Sequence, residues 1–157
     1  MAGLRLKSQE YSILANLHEM VERFNKAPAY LNRVVYRTYQ NRQRKRFQTM
    51  NVSEGQQWPE LNPKYKEWKK KKFASAFGGG TKMMIRTGRL FAAVSGDAVS
   101  GVSFDHKKIV TRSKIEVLWS TPYYEYTEDV RPVNVWDKKQ DAQMYADYAK
   151  YLMGVKK

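Results

Sequence analysis

Hydrophobic spacing changes period once along this chain, and that switch confines the architectures open to it. Up to about residue 97 the apolar residues recur at three- and four-residue intervals, the spacing of one helix face. Gln9 to Phe24 carries Ile13, Leu14, Leu17, Met20, Val21 and Phe24 in this way, with Ser8 as a candidate cap. Ala27-Pro28 interrupts the pattern, and proline suits the first turn of a second helix because its missing N–H costs nothing there. Leu31, Val34, Val35, Thr38 and Tyr39 form the stripe of that helix, and Phe47 carries it on to about Met50. Val52 to Pro63 reads as a loop. Asn62-Pro63 then supplies an N-cap and an N1 proline for a third helix, Lys64 to Phe73. Gly78-Gly79-Gly80 has no side chains to pack and predicts a flexible break. Thr87 is placed to cap a short helix that runs to Val94.

Beyond that point the segments shorten and fill with Val and Ile. Ala98–Phe104, Lys108–Arg112 and Lys114–Ser120 read as antiparallel strands, with His106 at a turn tip. Val130–Trp136 alternates as a further strand, although Pro132 confines it to an edge or an irregular stretch. Asp137–Met153 returns to helical spacing on a Tyr-rich stripe, and Gly154 supplies the stop. The expected fold is therefore α+β, with N-terminal helices packed on a small antiparallel β-sheet and a C-terminal helix. The 157 residues suit one structural domain. Its parts are helices over 1–51, a loop and helices over 55–97, the sheet over 98–136 and the last helix over 137–153.

Charge is the strongest compositional signal. Lys and Arg number 29 against 15 Asp and Glu, a formal +14, and such a surplus attracts polyanions. Eleven Tyr and four Trp add the large, rigid side chains that interfaces favour. The absence of cysteine excludes disulfides, thiolate metal sites and cysteine nucleophiles, and fits synthesis in the cytosol. Arg5 and Lys7 are followed by no apolar run of the secretory-signal kind, and no stretch is long and apolar enough to span a membrane.

Catalytic constellations are missing from the sequence pattern. His18 and His106 are isolated and read as solvated surface residues, which predicts no catalytic or metal role for either. Glu125, Glu128 and Asp129 read as a solvated acidic loop in preference to a metal site. Ser75 to Lys82 has glycines and a lysine but lacks the spacing of a phosphate-binding P-loop. A hydrolase or nuclease needs a carboxylate or histidine cluster, so the expectation is a protein that is not an enzyme and takes no cofactor.

Two basic blocks remain: Arg42, Arg44, Lys45 and Arg46 late on the second helix, and Lys64, Lys66, Lys69, Lys70, Lys71 and Lys72 on the third. They fit either a solubilising surface or contacts with an acidic partner or a phosphate backbone. Of the six lysines, at least half are expected in solvent. No base-reading motif surrounds either block, so DNA contact would be nonspecific and salt-dependent, and neutralising the first block is expected to leave stability nearly unchanged.

Three segments in fixed order resemble the tail-completion (virion morphogenesis) family of tailed bacteriophages, which includes neck and head–tail joining proteins. Gly55 to Pro63, with Trp58, Leu61 and Pro63, is similar to that family's Gly-x-x-Trp-x-x-Leu-x-Pro stretch before a Lys-rich helix. Met84 to Leu90, with Thr87, Gly88 and Leu90, resembles its Thr-Gly-x-Leu turn. Ser120 to Tyr126 with Pro122 and Tyr123, followed by Arg131-Pro132, resembles its Pro-Tyr segment and Arg-Pro run ahead of the last helix. The resemblance implies a structural protein of the virion neck or tail, assembled in the host cytoplasm, with no membrane. Its partners would be further copies of itself in a ring (a hexamer, with a dodecamer as the alternative) and neighbouring neck, connector and tail proteins, with DNA passing through the lumen. A nonspecific nucleic-acid-binding protein acting through the basic helices is the alternative. In the family reading Trp58 and Leu61 pin a loop to the core, Thr87 caps, Gly88 allows close approach and Tyr123 packs where strand becomes loop.

Overall fold

The computed structural model describes residues 8–82, 84–121, 131 and 138–155. Helix α1 spans Ser8–Asn25. The backbone bends at Lys26 and re-enters a helix at Ala27–Tyr30 (α2), with Pro28 in its first turn. This runs without interruption through a π-helical stretch, Leu31–Tyr36, into α3, Arg37–Gln48. The second helix expected from the sequence is therefore one rod with a widened middle turn. Met50 and Asn51, both at positive φ, end it, and the Asn51 amide donates to the Arg46 carbonyl at 2.8 Å.

A short 3₁₀ turn, Val52–Glu54, leads to α4, Pro63–Lys72. The Asn62 side chain caps α4 by accepting from the Lys64 amide at 3.0 Å, as the Asn-Pro pair predicts. The triple glycine is not an unpacked hinge. All three residues have positive φ, and Gly80 is buried so closely against α4 that a Cβ there would lie 2.6 Å from the Lys69 carbonyl oxygen. Glycine is needed at this position because the backbones meet.

Helix α5, Arg89–Ser95, is almost wholly buried and supplies the centre of the core. Phe47 of α3, Trp58 of the loop, Ile85, and Leu90 and Val94 of α5 form one cluster, with Leu61, Met84, Phe91 and Trp119 packed around it. Phe47 meets the rings of Trp58 and Phe91 edge-on, each at 5.4 Å between centroids. Two side chains of the long rod hold the α5 backbone: Tyr39 donates its hydroxyl to the Val94 carbonyl at 2.7 Å, and Gln40 donates to Ser95 at 2.9 Å. Burial raises the Tyr39 phenol well above its ordinary pKa, so it stays a donor.

The sheet among the described residues is the antiparallel pair β1, Asp105–Val110, and β2, Ile115–Ser120, in register from Asp105↔Ser120 to Val110↔Ile115. Ala98–Phe104 is not a strand. Gly101 at positive φ and a turn closed by the Val102 amide on the Val99 carbonyl break the extended backbone there. The Val130–Trp136 strand lies outside the described residues except for Arg131. Helix α6, Lys138–Met153, ends at Gly154 with positive φ, and the Val155 amide returns to the Lys150 carbonyl at 3.0 Å. Its last turn meets the end of α1: the Tyr151 hydroxyl donates to the Arg23 carbonyl, Arg23 donates to the Leu152 carbonyl, and the Tyr151 ring stacks on Tyr30 at 4.0 Å. Helices, a two-stranded antiparallel sheet and a C-terminal helix make the fold α+β.

Candidate functional site

The first basic block does not face outward as a unit. Arg42 donates through Nε to both carboxylate oxygens of Glu54 at 3.0 Å and through Nη2 to one of them. That hydrogen-bonded guanidinium holds the Glu54 carboxyl below its ordinary pKa against the opposing effect of burial. Arg44 forms a two-point pair with Asp97, at 2.8 and 2.5 Å, and lowers the Asp97 pKa in the same way. Arg46 is 1% exposed and donates to the Asn51 Oδ1 at 2.8 Å, while Asn51 passes the bond on to the Gln56 carbonyl. Only Lys45 of the four projects fully into solvent. Arg42 and Arg46 therefore serve as fasteners of α3, while Arg44 is paired with Asp97 and keeps 41% of its side chain exposed.

The second block divides likewise. Lys69 is 2% exposed, with its ammonium donating to the Lys82 carbonyl, so it does not share the solvent face of its neighbours. Burial, and then the nearby Arg86, push its pKa down. Lys70, Lys71 and Lys72 are exposed as expected, as are Lys64 and Lys66.

His18 lies exposed on α1. His106 is not at a turn tip: it sits in β1, and its Nδ1–H donates to the Ala93 carbonyl at 2.6 Å while the Tyr36 hydroxyl donates to Nε2 at 2.8 Å. It ties the sheet to α5 and to the long rod. Gly96 packs on this pair so tightly that a Cβ would come within 2.6 Å of the Tyr36 oxygen.

The motif residues converge. Trp58 is buried, Leu61 packs beside it, and Pro63 opens α4. Thr87 is exposed and does not cap α5; Gly88, at φ +92, holds the N-cap position with no side-chain bond. Gly88 does permit close approach, since a Cβ would lie 3.0 Å from Val99 and 3.1 Å from Phe77. Leu90 is buried in the core. Arg131 reaches back to the first segment and donates to the Pro59 carbonyl at 3.1 and 2.8 Å and to the Glu60 carbonyl at 3.4 Å. Pro122, Tyr123 and Pro132 lie outside the described residues.

Between these segments lies a cavity of about 480 Å³. Four cationic side chains line it: Lys69 from α4, Arg86 and Arg89 from either side of Thr87-Gly88, and Arg131. Leu61, Tyr65, Met84 and Leu90 supply its apolar wall. Among the described residues no carboxylate pairs with any of the four cations. The Nε of Arg89 is buried without an acceptor. Arg86 and Arg89 were not singled out from the sequence; the available signal was two arginines three residues apart around a Thr-Gly turn. Among the described residues no group of three or more His, Cys, Asp or Glu is placed to hold a metal ion, and no helix is long and apolar enough to cross a membrane. A scan against protein-family models, a search of curated proteins and a search of solved structures each return no match for this chain.

Proposed function

We propose that this chain is a structural virion protein of a tailed bacteriophage, a subunit of the neck or tail-end ring that completes the tail and joins it to the head. The observation carrying the reading is the order of the three family-like segments. Their mutual packing supports it: Leu90 of the second lies in one core with Trp58 of the first, and Arg131 of the third bonds the Pro59 carbonyl of the first. On this reading the chain works through contacts and turns over no substrate.

Helix α1 adds support for a protein-binding role. Ile13, Leu14, Leu17, Met20, Val21 and Phe24 share one face and are 39–58% exposed, whereas monomeric proteins rarely display so continuous an apolar patch. In a ring the next subunit covers this stripe. Head-to-tail contacts that close on themselves generate such rings, here a hexamer, with a dodecamer as the alternative. Neighbouring connector and tail proteins would occupy the ring's two faces.

Native mass spectrometry of the full chain, followed by electron microscopy of assembled particles, tests the reading. A closed ring, or density for the chain between head and tail, supports it; a monomer that is also absent from the neck density defeats it. The second reading, nonspecific nucleic-acid binding, is favoured by the exposed run Lys70, Lys71 and Lys72. It requires duplex affinity that falls steeply with salt and drops when those three are neutralised.

A further inference from the structure

We infer that the cavity between α4 and the Met84–Leu90 turn binds a phosphate group carried on an aromatic body, that is, a nucleotide unit. The inference stands apart from the neck-ring reading, since it rests on the cavity and its charges and would hold for a chain that forms no ring.

The charge balance of the site comes first. Lys69, Arg86, Arg89 and Arg131 surround one concavity, and no carboxylate among the described residues neutralises them. Elsewhere in the same molecule cations in comparable positions have found partners: Arg42 takes Glu54 and Arg44 takes Asp97. Lys and Arg, at 29, outnumber Asp and Glu, at 15, so many cations lack a carboxylate, and these four are set apart by sharing one concavity. Burial first, and then the charge of nearby Arg86, lower the pKa of Lys69. An anion entering the cavity reverses that effect and favours the charged lysine.

The type of anion follows from donors and charge. Arg131 spends Nε and Nη2 on backbone carbonyls, and Lys69 spends one hydrogen on the Lys82 carbonyl, so both are held in place by bonds that leave further N–H groups. The Arg89 Nε is buried without an acceptor, an unmade bond that a ligand oxygen can complete. A carboxylate offers one negative charge. A phosphomonoester, as on a free nucleotide or at the 5′ end of a strand, brings about −1.5 to −2 and three strong acceptor oxygens, which matches several guanidinium forks better.

The remaining space argues for a body attached to the phosphate. About 480 Å³ lies within the range of small-molecule sites, well beyond the needs of a lone oxyanion. One wall is apolar, and its Tyr65 ring lies 5.4 Å from that of Trp68, which is exposed on the next turn of α4. Such a ring pair offers a base a stacking surface beside a cationic phosphate site.

The test uses calorimetric titration of the full chain with inorganic phosphate, adenosine monophosphate, a 5′-phosphorylated oligothymidylate single strand and a polyglutamate peptide. Adenosine monophosphate is expected to bind saturably and at least about tenfold more tightly than phosphate alone. Arg86→Gln, at an exposed rim position, and Arg89→Gln should each weaken it about tenfold, and Lys107→Gln, exposed on β1 and away from the cavity, should leave it unchanged. Arg86→Gln keeps the test decisive should the half-buried Arg89 variant fold poorly. If the single strand displaces the mononucleotide, the phosphate comes from a strand; if it does not, the site takes free nucleotides, and either result upholds the inference. Absence of saturable binding, equal losses in Lys107→Gln, or displacement by polyglutamate more readily than by the strand each overturns it, the last by reassigning the cavity to an acidic protein.

Discussion

Helices α1 and α3 invert what their sequences suggest. The first has a clean apolar stripe of six residues, yet all six lie open to solvent. The second reads Arg-Thr-Tyr-Gln-Asn-Arg-Gln-Arg-Lys-Arg-Phe-Gln, yet it buries Tyr39, Gln43, Arg46 and Phe47. Periodicity identifies a face able to be buried; it does not say what covers that face. Three arginines of the polar helix find partners in Glu54, Asp97 and Asn51, so their aliphatic stems can pack while their heads stay bonded. Helix α1 meets its own chain chiefly near Arg23, and the rest of its stripe is left for another molecule.

The largest expected effect tests the buried end of this contrast. Arg46→Ala removes a side chain that is 1% exposed and strands the Asn51 Oδ1, and a destabilisation of about 3 kcal/mol is expected. Urea unfolding followed by circular dichroism measures it. A loss under about 0.5 kcal/mol would place Arg46 among ordinary surface residues and erase the contrast.

Acid titration sharpens the same point. Glu54 and Asp97 are held below their ordinary values of 4.5 and 3.8, first by hydrogen bonds from Arg42 and Arg44. A lowered folded pKa means that the unfolded chain binds more protons as pH drops. The stabilisation is therefore complete above the unfolded values and is lost as pH falls through the folded ones. Glu54→Gln should cost about 2 kcal/mol at pH 7, and its difference from the parent should vanish at strongly acid pH. A difference that persists unchanged under acid conditions would mean that shape, not charge, holds the 3₁₀ turn to α3.

His106→Ala is expected to cost less, about 1–2 kcal/mol, by removing the link between the Tyr36 hydroxyl and the Ala93 carbonyl. Thermal unfolding should register the change. His18→Ala, on exposed α1, should leave stability within about 0.5 kcal/mol. If the two variants behave alike, the histidines are equivalent after all.

Much of the helical layout was legible in the sequence, and the reasons are local. Asn62-Pro63 starts α4 and Gly154 stops α6 through bonds within a few residues of each. The α+β class followed from the change of period. What was not legible depends on residues distant in the chain. Arg44 and Asp97 are 53 positions apart, and His106 and Tyr36 are 70 apart, so no local pattern announced either pair. The tight contact of Gly80 with the Lys69 carbonyl was hidden for the same reason, and a run of three glycines read as an open hinge. Thr87 failed as a cap because Gly88, with its positive φ, takes the N-cap position one residue later. The cationic cavity needed all three segments to be brought together before its charges could be seen to lack carboxylates among the described residues.

The smallest expected effect on stability tests the exposed end of the contrast. Leu17 sits in the middle of the α1 stripe and is half exposed, so Leu17→Ser removes little buried surface from the isolated chain. Its unfolding free energy should stay within about 0.5 kcal/mol of the parent, with a further few tenths lost to helix propensity. Assembly should respond very differently. If the next subunit covers the stripe, the serine places a hydroxyl in the centre of a protein–protein contact, where truncations commonly cost about 2 kcal/mol or more. A ring repeats that loss at every contact. Analytical ultracentrifugation of the variant beside the parent should then show dissociation at concentrations where the parent stays assembled, with both chains equally folded. Equal assembly of the two would remove α1 from the subunit contact. A large drop in stability of the isolated chain would mean instead that the stripe is covered from within, and that α1 and α3 obey the same rule.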